Sequence, residues 1–289
     1  MSPVHLAAAA LVVVIWGFNF SAIRLGLDEM TPLCLAGWRF ALAALPVLFI
    51  ARPDVPLRVI AGVGIFQFGG QFVFLFYAME AGLPPGLVSV LVQLQGPLTF
   101  LLAAAALGER ARPLQWLGLA IALAGVAMIA RSVEGSAPLA AVALGLLSAL
   151  SWATGNLFMR HARGGNLFAV TVWASALPAL PLLAASLVVD GPTRAPAPLL
   201  APTGQMWAVL LYSVAPAMWL GYFIWGTLLR GYPAARVGPI SLLIPCVALG
   251  FAALLFGEQL AGLRLVGVII VLAGVAAGLF AGRERDRAS

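Results

Sequence analysis

The side chains able to do chemistry here are few and scattered. The two histidines, His5 and His161, and the two cysteines, Cys34 and Cys246, are far apart and give neither a metal-ligand spacing nor a disulfide framework. All sixteen basic residues are arginine. Without a lysine, a Schiff-base nucleophile and a Walker-type phosphate-binding lysine are both excluded. The expectation is no enzyme, no cofactor and no metal.

What remains is recognition chemistry, in aromatic rings, amides and hydroxyls at helical spacing. Ser148, Trp152 and Asn156 recur every fourth residue and share one helix face. Trp16 pairs with Asn19 in the same way, and Gln67 with Gln71, with Tyr77 closing that stretch. Tyr212, Pro216, Trp219 and Phe223 make one stripe with Trp225 nearby, and Ser241 shares a face with Pro245. Gln93 and Gln95 lie about 200° apart on a regular helix, so both face one cavity only if Pro97 distorts the turn.

Each of these residues has two readings. Intramembrane Asn, Gln and Ser serve as hydrogen-bond glue between helices, and Trp and Tyr form interfacial belts. Taken as a set, Trp16, Asn19, Gln67, Gln71, Tyr77, Gln93, Trp152, Asn156, Tyr212, Trp219 and Ser241 are read as the wall of a substrate cavity. Pro97, Pro239 and Pro245 are bending points. Arg39 is the one charge well inside an apolar run, where insertion costs roughly 2.5–3.5 kcal/mol. It could snorkel, pin helices through carbonyls or meet a substrate carboxylate, and a structural role is the expectation. No acid lies mid-run, since Glu80, Glu109 and Glu258 all sit at ends. Proton coupling is therefore unsupported, and a facilitated mechanism is expected.

The elements holding these residues must be membrane helices. The chain is 63% hydrophobic and 9% charged, against about 25% charged in soluble domains. A soluble fold has too few charges here to coat its exterior. The net charge of +6 does not point to nucleic acid, because the arginines stand singly between apolar runs.

Ten stretches are long enough to cross a bilayer: 5–24, 33–51, 57–79, 84–107, 113–131, 137–159, 166–189, 205–229, 233–256 and 263–281. The first is read as a retained span, not a cleaved leader, since it lacks a basic start and carries Asn19. The longest loop, Asp190 to Gly204, holds four prolines. Eleven arginines fall on the side of the termini and four on the other, which places both termini in the cytoplasm of a bacterial-type inner membrane.

Internal repetition organises the whole. Gly108-Glu109 recurs as Gly257-Glu258, Leu117-Gly118 matches Val266-Gly267, the run Leu-Ala-Gly-Val-Ala at 123–127 returns at 272–276, and Pro84 falls on Pro233, all at one offset of 149. Trp16 with Trp152 and Arg24 with Arg160 repeat at an offset of 136. The expectation is two halves, 1–133 and 134–289. Five spans in each half invert the second relative to the first, an architecture suited to alternating access around a midplane site. Gly274, Gly278 and Gly282 read as a close-packing face on the last span. A pathway complete within one chain makes a monomer the default, with a small molecule and the lipid bilayer as partners.

The motifs Trp16-Gly17-Phe18-Asn19-Phe20, Pro32 with Trp38-Arg39-Phe40, and the paired Gly-Glu signatures leading into Leu-Ala-Gly-Val-Ala resemble the drug/metabolite transporter superfamily in its ten-span, two-EamA-repeat form. The likeness is greatest to YddG-type exporters of aromatic and other amino acids. The resemblance implies a basket of ten helices around a central cavity lined by the first, third, fourth, sixth, eighth and ninth spans. It also implies amino acids as substrates and makes Arg39 a recurrent feature of the second span. A toxic-cation exporter is the alternative; a membrane enzyme or a channel lacks the residues it would need.

Overall fold

A computed structural model describes residues 1–107, 113–132, 138–162, 166–193, 201 and 203–283. Gly108-Glu109, the arginines at 110, 112, 163, 194, 285 and 287, most of the proline-rich loop and the 133/134 boundary between halves lie outside the described residues.

The described chain is helical throughout. The first half contributes α1 (Pro3–Leu27), α2 (Pro32–Ala43), α3 (Leu57–Glu80), α4 (Pro85–Ala106) and α5 (Pro113–Ser132). The second contributes α6 (Pro138–Arg160), α7 (Leu167–Val189), α8 (Gly204–Gly231), α9 (Gly238–Phe256) and α10 (Gly262–Arg283). Eight of the helices are long and apolar enough to cross a bilayer, and shorter apolar helices at Pro32–Leu48 and Gly262–Gly278 complete ten. Starts follow local chemistry: Ser2 caps α1 through the His5 N–H, Asn166 caps α7, and Thr203 caps α8. The α-helical part of α2 stops at Ala43, and Leu45–Leu48, with its Pro46, continues as a tighter 3₁₀ turn.

The packing carries a two-fold pattern. α1 packs on α8 and α9, while α6 packs on α3 and α4; α2 meets α7, and α5 meets α10. Exchanging each helix of one half for its counterpart in the other reproduces this set. The α5–α10 contact shows the symmetry at atomic scale. A Cβ on Gly118 would lie 2.6 Å from the Gly274 carbonyl, and one on Gly125 would lie 2.7 Å from that of Gly267. These are the repeated glycines, so each half presents the same groove to the other. Backbones this close leave no room for a side chain. Gly274 and Gly278 take part as the sequence implies; the side-chain surroundings of Gly282 lie outside the description.

Regular helix fails at matched places. α3 widens into a π-helix at Val63–Gly70 and α8 at Ala215–Leu220. α4 is interrupted between Val92 and Gln95, and α9 begins with a 3₁₀ stretch, Gly238–Leu243. Apolar side chains such as Leu180, Val188 and Leu254 remain largely exposed on the outer faces, as a hydrocarbon surround requires.

Candidate functional site

A cavity of about 220 Å³ lies between the halves, beside the irregular segments of α3, α4 and α8. Its wall comprises Trp16 of α1, Gln67 of α3, Gln95 of α4, Trp152, Asn156 and Met159 of α6, Leu167 and Thr171 of α7, and Tyr222, Trp225, Gly226 and Leu229 of α8. The aromatic part is preorganised. Trp16 stands 5.5 Å from Tyr222 and 5.3 Å from Trp225, centroid to centroid, and its indole N–H donates to the Ala217 carbonyl at 2.9 Å. That carbonyl belongs to the π segment of α8. Gly221 makes room for the indole, since a Cβ there would sit 2.5 Å from Nε1.

The polar part is an amide cluster. Asn156 Nδ2 donates to Gln95 Oε1 at 2.7 Å and to Thr99 Oγ1 at 3.1 Å. Gln67 is buried beside Tyr222, and its Oε1 has no hydrogen-bond partner. None of the lining residues is acidic.

Of the eleven candidates read from sequence, Trp16, Gln67, Trp152 and Asn156 line this cavity. The others are placed elsewhere. Gln93 Nε2 donates to the Ser241 carbonyl at 2.6 Å, tying α4 to α9, and the Ser241 hydroxyl turns back to Gly238. Tyr212 donates to the Ile15 carbonyl and Trp219 to that of Ala43, joining α8 to α1 and α2. Asn19 accepts from Arg39. The Gln71 carbonyl accepts from Ser148, and the half-buried Tyr77 is not part of the wall.

Pro97 is buried near the interruption of α4, yet the break does not bring the two glutamines to one cavity: Gln95 lines the wall and Gln93 does not. Pro239 lies in the 3₁₀ stretch of α9, and Pro245 follows at the start of its α-helical part.

Gln95, Tyr222, Trp225 and Thr171 do line the cavity. The stripe through Tyr212, Pro216, Trp219 and Phe223 assumed an unbroken α-helix. The π segment rotates the second part of α8, so Phe223 is exposed while Tyr222, Trp225 and Leu229 face inward. α7 contributes Leu167 and Thr171, whereas α9, which the resemblance implied, contributes nothing to this wall.

The two ends of the molecule differ. Met159, Leu167 and Leu229 extend the cavity toward the end where Tyr232 bonds to Ser2 and His5. At the opposite end, polar ties join the helices. Asp190 accepts from Thr31 and Ser186, both at 2.7 Å, Gln205 reaches the Leu25 carbonyl, and Arg264 donates to the Ser132 carbonyl. Glu258, from the repeated Gly-Glu pair, accepts the Gly86 N–H at the start of α4 at 3.0 Å. Burial pushes its carboxyl above the ordinary carboxylate range; the Gly86 bond and Arg264 offset only part of that rise.

The EamA-like transporter family matches residues 4–131 and again 139–279. The chain belongs to this family. A Salmonella typhimurium protein described as a probable amino-acid metabolite efflux pump is 41% identical over 97% of this chain and 96% of its own. Its Escherichia coli counterpart, with the same description, is 40% identical over 96% and 95%. A probable terminal-alkyne amino-acid exporter of Streptantibioticus cattleyicolor is 33% identical over 93% and 91%. A crystal structure of another protein shares this fold with a TM-score of 0.61 at 16% identity, over 98% of this chain and 99% of that one. The protein is thus a multi-pass membrane transporter of the EamA family, built from two inverted five-helix repeats.

Proposed function

We propose that this transporter exports amino acids or closely related metabolites by facilitated alternating access, as a monomer and with no enzymatic step. The observation that carries the reading is the cavity itself. Its volume, about 220 Å³, falls below the ~300–1,000 Å³ usual for drug-sized sites and suits one small metabolite. Trp16, Trp152, Tyr222 and Trp225 offer ring faces to an apolar side chain, while Gln67, Gln95 and Asn156 offer donors and acceptors to polar groups. The relatives described as amino-acid metabolite efflux pumps support the same substrate class.

A wall without carboxylates argues against a toxic-cation exporter. The arginine asymmetry supports cytoplasmic termini, so the aromatic cavity would extend toward the cytoplasm, and the Asp190 and Glu258 ties would hold the helices together beneath an open depression on the outer side. The halves 1–133 and 134–289 would then exchange roles as the site turns outward.

The decisive test is counterflow in proteoliposomes preloaded with one amino acid, without a proton gradient. Accumulation of labelled Phe, Trp, Met or Thr supports the reading. Flux only with an imposed pH gradient or a cationic drug would overturn it.

A further inference from the structure

Arg39 stands out among the buried polar groups. It is 2% exposed, and its guanidinium lies over the Phe72 ring at 4.3 Å. Its one hydrogen bond runs from Nη1 to Asn19 Oδ1 at 3.4 Å, the outer limit for such a contact, and Nε has no partner. No carboxylate among the described residues meets Arg39. A guanidinium carries five N–H donors in a fixed fork. A structural arginine at this depth would spend them on carbonyls or carboxylates, because an unmatched buried charge is heavily penalised. This one does not snorkel, and its single long bond to the Asn19 amide leaves most of the fork unused.

Its surroundings lead to the cavity. The Phe72 ring under Arg39 leads through Phe40 and Phe68 to Tyr222 of the cavity wall, with neighbouring centroids 5.4–5.8 Å apart, and Asn19 stands one turn of α1 from Trp16 on that wall. Arg39 thus lies behind the wall, in the aromatic cluster that backs Tyr222. Gln67, on that wall, holds a carbonyl oxygen with nothing to accept. A lone cation behind the wall and a free acceptor on it are complementary to a zwitterion.

We propose that Arg39 is the counter-charge for the substrate carboxylate, engaged when Tyr222 turns aside, with Gln67 Oε1 accepting from the substrate ammonium. The fork of Arg39 would take both carboxylate oxygens, an arrangement that an amide or an ester cannot fully repay. The inference rests on the amino-acid reading above and adds which charged group selects the substrate.

The test uses full-length protein in proteoliposomes and a set of competitors: phenylalanine, its amide, its methyl ester and phenethylamine. With the wild-type protein, phenylalanine should inhibit counterflow of labelled phenylalanine at concentrations at least tenfold below the other three. Arg39→Gln should erase most of that preference, and Arg39→Lys should keep part of it, since it retains charge but loses the fork. If Arg39→Gln fails to fold, ligand-induced thermal stabilisation of the wild type by phenylalanine, and not by the amide, carries the same comparison.

Equal potency of acid and amide on the wild type would overturn the role of Arg39 while leaving amino-acid transport standing. An undiminished preference in a folded Arg39→Gln protein would do the same. Absence of any response to any amino acid would overturn the substrate reading, and this inference with it.

Discussion

At the scale of single residues, the cavity divides its work between rings and amides. Trp152 contributes a ring face to the wall and, among the described residues, no hydrogen bond to a neighbouring backbone, so its truncation reads out recognition once a thermal melt has accounted for its packing on the core. Ring contacts are worth about 0.5–1.5 kcal/mol beyond area burial, equivalent to roughly two- to tenfold in affinity. Trp152→Ala should therefore raise the half-saturating concentration of an aromatic substrate by about that factor. A smaller effect is expected for threonine in the same counterflow assay.

Glu258 lies outside the spans and gives a prediction of a different kind. Its carboxyl is raised by burial, so the folded arrangement prefers the neutral form. Stability from that group is fully present below the ordinary glutamate range and is lost as pH rises through the raised value. Glu258→Gln keeps a neutral acceptor for the Gly86 N–H. Its melting temperature should exceed that of the wild type at neutral pH, with the gap closing toward about pH 4. An equal gap at both ends of a pH series of thermal melts would contradict this account.

At the scale of elements, the breaks within helices matter more than the helices. Pro216 has no N–H to donate and its ring crowds the preceding turn, a sufficient local cause for the widened segment Ala215–Leu220. That segment presents the Ala217 carbonyl to Trp16 and turns Tyr222 and Trp225 inward. Pro216→Ala restores the missing donor and favours a regular helix. It should leave the melting temperature unchanged or higher while lowering transport at least tenfold, measured on the same preparation.

These elements also mark how far the sequence could be read. Ten spans were legible because hydropathy is a local property, and Trp16, Trp152 and Asn156 because they share faces of helices that hold their register, whereas Gln67 reaches the wall from within a π segment. Tyr222 was hidden because a one-residue change of phase inside α8 leaves no mark on a periodic pattern. The π segment of α3 contains no proline to announce it. Asn19, Tyr212 and Trp219 have the residue types of a binding site, yet spend their polar atoms on neighbouring helices. Only the three-dimensional partner distinguishes the two uses.

At the scale of the molecule, polar ties gather one end around a wide depression lined by Glu80, Glu258 and Arg264, and the aromatic cavity extends toward the other. Thr31 and Asp190 bring α2 and α7 together at the tied end. A protein lacking Cys34 and Cys246 and carrying Thr31→Cys with Asp190→Cys should be trapped by an oxidant with that end shut. Counterflow should stop on oxidation and return with a reductant. Unchanged flux after verified cross-linking would mean that this end need not open.

The glycine seam between α5 and α10 has a consequence for synthesis. α5 leaves the ribosome long before its partner exists, so the growing chain carries an uncovered groove until the last helix is inserted. α10 supplies no residue to the cavity wall. A premature stop just ahead of Gly262 would spare every lining side chain and still release the clasp between the halves. Nonsense mutations late in the reading frame should then be as disabling as early ones, and a chain cut there a ready substrate for membrane proteolysis.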